Sequence, residues 1–170
     1  MGGYVALSLA ERHPDLLKGF GLFHSTSFAD TEEKKVNRNK VIEFVTRNGV
    51  APFIDTFVPG LFFNKSVSTL AEVHSIAIQT RSETLIGYSQ AMRDRPDRSS
   101  ILKISEKPKF LIAGTEDTLI PIALSRKMVE IGQNCRYYEL KGVAHMGIFE
   151  AEMECQEVIE EFVRAIVKNK

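Results

Sequence analysis

Lys109-Phe110-Leu111-Ile112-Ala113-Gly114-Thr115-Glu116-Asp117 is the stretch whose reading decides the fold. Phe110 to Ala113 is an unbroken apolar run with no polar alternation. That pattern suits a strand buried on both faces, as in a parallel sheet covered by helices. Gly114 breaks the strand and leaves Thr115, Glu116 and Asp117 at its carboxyl end. In open α/β sheets this rim is where ligands and catalytic groups gather. A carboxylate there is placed to orient a histidine, and Gly142-Val143-Ala144-His145 offers one. Asp117 and His145 are therefore read as two members of a catalytic triad. Plainer readings stand beside this one. Asp117 could serve only loop amides ahead of Pro121, His145 could be an ordinary loop histidine, and Glu116 is a rival acid.

Before the central strand, Tyr4 to His13 forms a helix stopped by Pro14, and a second buried strand is expected at about Lys18–His24. From Asp30 to about Arg95 the texture changes. Asp30-Thr31-Glu32-Glu33 reads as a cap with an acidic first turn, and Asn48-Gly49 as the end of that helix. Pro52 opens a short helix, Pro59-Gly60 turns the chain, and two further helices are expected at about Ser66–Gln79 and Glu83–Met92. No strand-like run interrupts this insertion, so it is read as an all-helical cap over residues 28–96. A short helix is expected at Ile101–Ile104. Beyond the central strand, Pro121 suits the first position of a helix running to about Ile131. The more polar Asn134–Leu140 is expected as a strand nearer the sheet edge. Ile148–Val167 is read as one long amphipathic helix, with Phe149, Met153, Ile159, Phe162, Val163 and Ile166 facing the sheet.

The 170 residues suffice for one sizeable core. Lys plus Arg and Asp plus Glu number 22 each, so no basic field exists to attract nucleic acid or anionic membrane. No apolar run approaches the length of a membrane span. Cys135 and Cys155 have neither metal-type spacing nor a disulfide framework, and read as small buried thiols of a reducing, cytoplasmic protein. No metal or organic cofactor is implied by any spacing.

The order helix, strand, helical insertion, strand with Asp, helix, strand, loop with His, helix resembles the C-terminal half of a capped α/β-hydrolase of esterase or lactonase type. Met1-Gly2-Gly3 resembles the residues that follow the nucleophile in that family's elbow. The resemblance implies three parallel strands flanked by helices, with core segments 1–27 and 97–170. It implies that His145 is the general base, that Asp117 orients it, and that the Met1 backbone N–H is an oxyanion donor. Gly2 becomes the last glycine of the elbow. The nucleophile would stand immediately ahead of Met1, so the chain is expected to be a fragment, inactive alone.

His24 and the cluster of Phe57, Phe62 and Phe63, with Phe53, could line a pocket for a small acyl substrate. A residue placed like His24 is more often a hydrogen-bonded strand end, and packing of the cap explains the phenylalanines equally well. The family strand that should flank Lys18–His24 lies outside the chain. The resulting open edge is expected to be covered by homo-oligomerisation. The alternative to a hydrolase is a non-catalytic oligomerising module of the same ancestry.

Overall fold

The computed structural model describes residues 1–65 and 67–168. The expected helix start at Ser66 and the fraying of Asn169 and Lys170 lie outside them. The chain divides into two compact units, Met1–Ser27 with Arg98–Lys170, and Phe28–Asp97. Among the described residues, no helix is long and apolar enough to cross a membrane.

The first unit is built on three parallel strands in the order β1 (Phe20–Phe23), β2 (Lys109–Gly114), β3 (Cys135–Leu140). Phe20 pairs with Lys109 and Lys109 with Cys135, so the strands run level. The apolar run of β2 is central, with Leu111, Ile112 and Ala113 all buried. Helices α1 (Gly2–Arg12), α6 (Ser99–Ile104), α7 (Ile122–Ile131), α8 (Gly147–Glu150) and α9 (Glu152–Lys168) accompany it. Lys109, at the foot of β2, is fully buried, and its ammonium donates to the carbonyls of Ser105 and Lys107. Arg98 N–H donates to the Ser27 carbonyl at 2.8 Å, which ties the two core segments where the insertion leaves and returns.

Two readings of the C-terminal region need correction. The expected single helix breaks at Ala151, although no Gly or Pro marks the site. There Glu150 turns back to accept the Ala144 N–H at 2.8 Å, a bond to a loop amide six residues earlier that helical periodicity does not register. The buried face of α9 is Cys155, Val158 and Phe162, whereas Met153, Ile159 and Val163 are exposed. The spacing of three and four that selects the buried trio sets the apolar stripe about one residue away from the bulkiest side chains. Pro121 also falls one place earlier than expected, as the extended N-cap of α7.

The second unit is helical throughout its described residues: α2 (Glu32–Asn48), α3 (Ala51–Phe57), a 3-10 turn at Val58–Leu61, α4 (Val67–Ala77) and α5 (Ser82–Asp94). Thr31 caps α2 by accepting the Lys34 N–H, and Gly49 ends it at φ 78°, a conformation glycine adopts freely. Its two chain ends are clipped together by Asp30, whose buried carboxylate accepts from Arg38 and Arg95 at 3.1 and 2.9 Å. Burial raises the proton affinity of Asp30, but the two guanidiniums outweigh it and hold the carboxyl below its ordinary range.

Candidate functional site

Every residue of the candidate site stands at the carboxyl end of the sheet or in the loop just beyond it. Gly114 closes β2 in a crowded position, where an added Cβ would lie 2.2 Å from the Val143 carbonyl oxygen and 2.6 Å from that of Ala144. Only glycine allows the acid-bearing turn and the histidine loop to approach so closely. Three backbone-directed bonds then hold the loop. Glu116 N–H donates to the Val143 carbonyl, Gly142 N–H to Thr115 Oγ1, and Ala144 N–H to Glu150 Oε2, at 3.0, 3.0 and 2.8 Å.

These restraints bring Asp117 and His145 together. His145 Nδ1 lies 2.8 Å from Asp117 Oδ2. The opposite oxygen, Oδ1, accepts the N–H groups of Leu119 and Ile120, each at 2.9 Å. Asp117 is thus bound to loop amides and to the histidine at once, so the plainer role and the orienting role coexist in one carboxylate. Its side chain is 1% exposed. Burial alone would raise its proton affinity, but hydrogen bonds from His145 and His24 reverse this and hold the carboxyl far below its usual range. Asp117 is therefore a carboxylate at neutral pH. Because that carboxylate only accepts, the proton on His145 is on Nδ1. Nε2 of His145 has no hydrogen-bond partner among the described residues, and the side chain is 28% exposed.

His24 is the residue the sequence placed least well. It follows β1 with φ 43°, in the left-handed region, and its backbone N–H donates to the Ile112 carbonyl. Its side chain is 2% exposed, with Nδ1 3.4 Å from the same Asp117 Oδ2. No motif announced this, because the contact spans 93 positions and arises only when β1 pairs with β2. Thr115, which pins the histidine loop across 27 positions, is hidden for the same reason, whereas Glu150 reaches only six residues back to Ala144 through a contact that no motif marks. Glu116 offers its backbone to that loop, and its side chain accepts from Thr115.

The other sequence candidates are placed as follows. Met1 is the N-cap of α1, and its carbonyl accepts from Tyr4 and Val5. Gly2 begins α1, where a Cβ would meet nothing within 4 Å; the close approach belongs to Gly3, whose Cβ would lie 2.3 Å from Ser25 Oγ. In the helical unit Phe62 is buried, Phe63 is exposed, and Phe57 stacks on Phe53 with ring centroids 5.0 Å apart. Cys135 and Cys155 are free, and burial pushes both thiols up to about 11, so neither supplies a thiolate at neutral pH.

His24, Asp117 and His145 are of metal-ligating type, with one donor atom from each within 4.8 Å of the others. A metal there would have to displace the protons that now join both imidazoles to the carboxylate.

No protein-family model matches the sequence, and no curated protein matches it significantly. Solved structures do match. A thermophilic esterase from Thermogutta terrifontis, solved with malate bound, is 23% identical with a TM-score of 0.90, over 97% of this chain and 62% of that one. The enol-lactonase from Burkholderia xenovorans is 21% identical with a TM-score of 0.85, over 96% and 63%. An alpha/beta hydrolase from a Medee basin deep-sea metagenome library is 16% identical with a TM-score of 0.82, over 95% and 62%. With its three parallel strands flanked by helices, the chain has the α/β-hydrolase fold over about 62% of these neighbours' length.

Proposed function

We propose that the chain carries the acid and base of an α/β-hydrolase acting on a small ester, lactone or similar acyl substrate. The observation that carries this reading is the 2.8 Å contact between His145 Nδ1 and a buried, ionised Asp117, at the carboxyl ends of adjacent parallel strands. In the proposed mechanism His145 Nε2 takes the proton of the attacking nucleophile and returns it to the leaving group. Asp117 holds the Nδ1–H tautomer and stabilises the imidazolium. The nucleophile stands just ahead of Met1 in a longer protein, and the Met1 N–H is one oxyanion donor. A span of about 62% of the neighbours' length supports this assignment, as does the pairing of acid and base with no thiolate beside them. That two of the neighbours are an esterase and an enol-lactonase supports the acyl class. The helical unit is read as a cap domain, with Phe57, Phe62 and Phe63 kept as candidates for contact with the acyl group, and two free cysteines support a cytoplasmic setting.

A second reading, a non-catalytic oligomerising module, is favoured by one feature. β1 bonds to β2 on one side, and no strand flanks its other side among the described residues. Translating the coding sequence upstream of Met1 separates the two. A strand followed by Gly-x-Ser supports the hydrolase, and an immediate in-frame stop supports the module. The protein extended through that elbow is expected to hydrolyse p-nitrophenyl acetate, with kcat falling about 10⁴-fold in His145→Ala or Asp117→Asn. The 170-residue chain alone is expected to show no turnover that depends on His145. Equal activity of the extended protein and its His145→Ala variant would overturn the proposal.

A further inference from the structure

The Asp117 carboxylate accepts four hydrogen bonds from protein groups, two on each oxygen. That fills the roughly four acceptor positions a carboxylate possesses. Three of the donors are accounted for by the loop amides and His145. The fourth, His24, is costly to place. Its backbone sits in the left-handed region, which a non-glycine residue enters at a cost. Its Nε2 is buried with no hydrogen-bond partner among the described residues, a further cost that an apolar ring would avoid. The ring also requires a glycine opposite, since a Cβ on Gly147 would lie 2.3 Å from Nε2. Packing alone does not call for an imidazole here.

The function left for this ring is at Nδ1. We propose that His24 is a positioning residue for the acid. Its Nδ1–H holds Asp117 Oδ2 in the one orientation in which that oxygen also receives the Nδ1–H of His145. At 3.4 Å the bond is the longer of the two on Oδ2, so it steadies the carboxylate without displacing the 2.8 Å bond to His145. The T-shaped contacts of the His24 ring with Phe23 and His145, centroids 4.9 and 5.9 Å away, keep it from rotating out of line. The inference rests on reading Asp117 and His145 as the acid and base.

The test is made on the 170-residue chain and needs no turnover, so its failure is distinct from failure of the hydrolase reading. Ring-nitrogen NMR at neutral pH is expected to find His24 protonated at Nδ1 with a bare Nε2; the Nε2–H tautomer would overturn the proposal. In His24→Phe, the ring remains and the donor goes. The His145 Nδ1 proton is then expected to exchange with water about tenfold faster or more, as its acceptor loosens. His24→Asn places an amide N–H near the same position and tolerates the left-handed backbone, so it is expected to restore slow exchange. A merely structural His24 would lower the melting temperature of its variants but leave the shift and exchange of the His145 proton unchanged. That second result would also overturn the proposal. If His24→Phe does not fold, the wild-type tautomer and His24→Asn decide.

Discussion

Asp117 combines deep burial with a full set of donors, and the balance has a measurable consequence. Its folded-state proton affinity lies well below the ordinary aspartate value of 3.8. The unfolded chain therefore binds the proton more readily, and stability rises with pH across the window between the two values. The contribution is complete at neutral pH and is lost as pH falls from about 4 downward. Denaturant midpoints at pH 7 and pH 3 are expected to show a wild-type advantage over Asp117→Asn that shrinks in acid. An advantage independent of pH would show that the carboxylate is not held ionised by its neighbours. Glu139 is a contrasting case. Bonds from Arg126 and Tyr137 lower it to about 2, yet the Arg126 side chain is 59% exposed. Solvent screens such a pair, and Arg126→Ala is expected to cost under about 1 kcal/mol in the same denaturation assay.

At the scale of elements, α9 shows how an apolar face is chosen. Phe162 is buried, its ring 4.8 Å from that of Phe110 on β2, while Met153 is 74% exposed. Phe162→Ala is expected to cost about 3–5 kcal/mol and Met153→Ala to stay within about 0.5 kcal/mol, read from urea unfolding. Equal losses would mean that α9 packs by the face its sequence first suggests. The junction of β2 with the histidine loop makes a second case. In Gly114→Ala the new methyl meets the backbone of Val143 and Ala144, which cannot yield as a side-chain tip would. The loop must withdraw, at a cost of about 1–3 kcal/mol. The downfield Nδ1 proton of His145 is expected to broaden or vanish in that variant, and its survival unchanged would show that the loop has room to spare.

Across the whole molecule, the uncovered side of β1 matters most. Phe20 and Leu22 are buried even so, so the liability lies in the strand's backbone edge more than in its side chains. An unflanked edge invites another strand. Light scattering coupled to size exclusion is expected to give at least twice the monomer mass, through contacts over Lys18–His24. A monomer at micromolar concentration would remove that expectation and with it the support for the module reading.

Apolar runs without alternation were enough to place β1 and β2 in a covered parallel sheet, because both faces of such strands exclude polar groups. Gly114 and Gly142, followed by an acid and an imidazole, located both halves of the candidate pair, because strand ends in such sheets share one rim. Local signals of this kind act within a few residues and survive in the linear chain. What folding alone decided is how distant atoms meet. His24 reaches Asp117 only because β1 lies beside β2, Thr115 restrains the histidine loop only because β2 lies beside β3, and the buried stripe of α9 follows the space left by Phe110 and Gly19. Those contacts depend on which surfaces come together, and no single stretch of chain contains both surfaces.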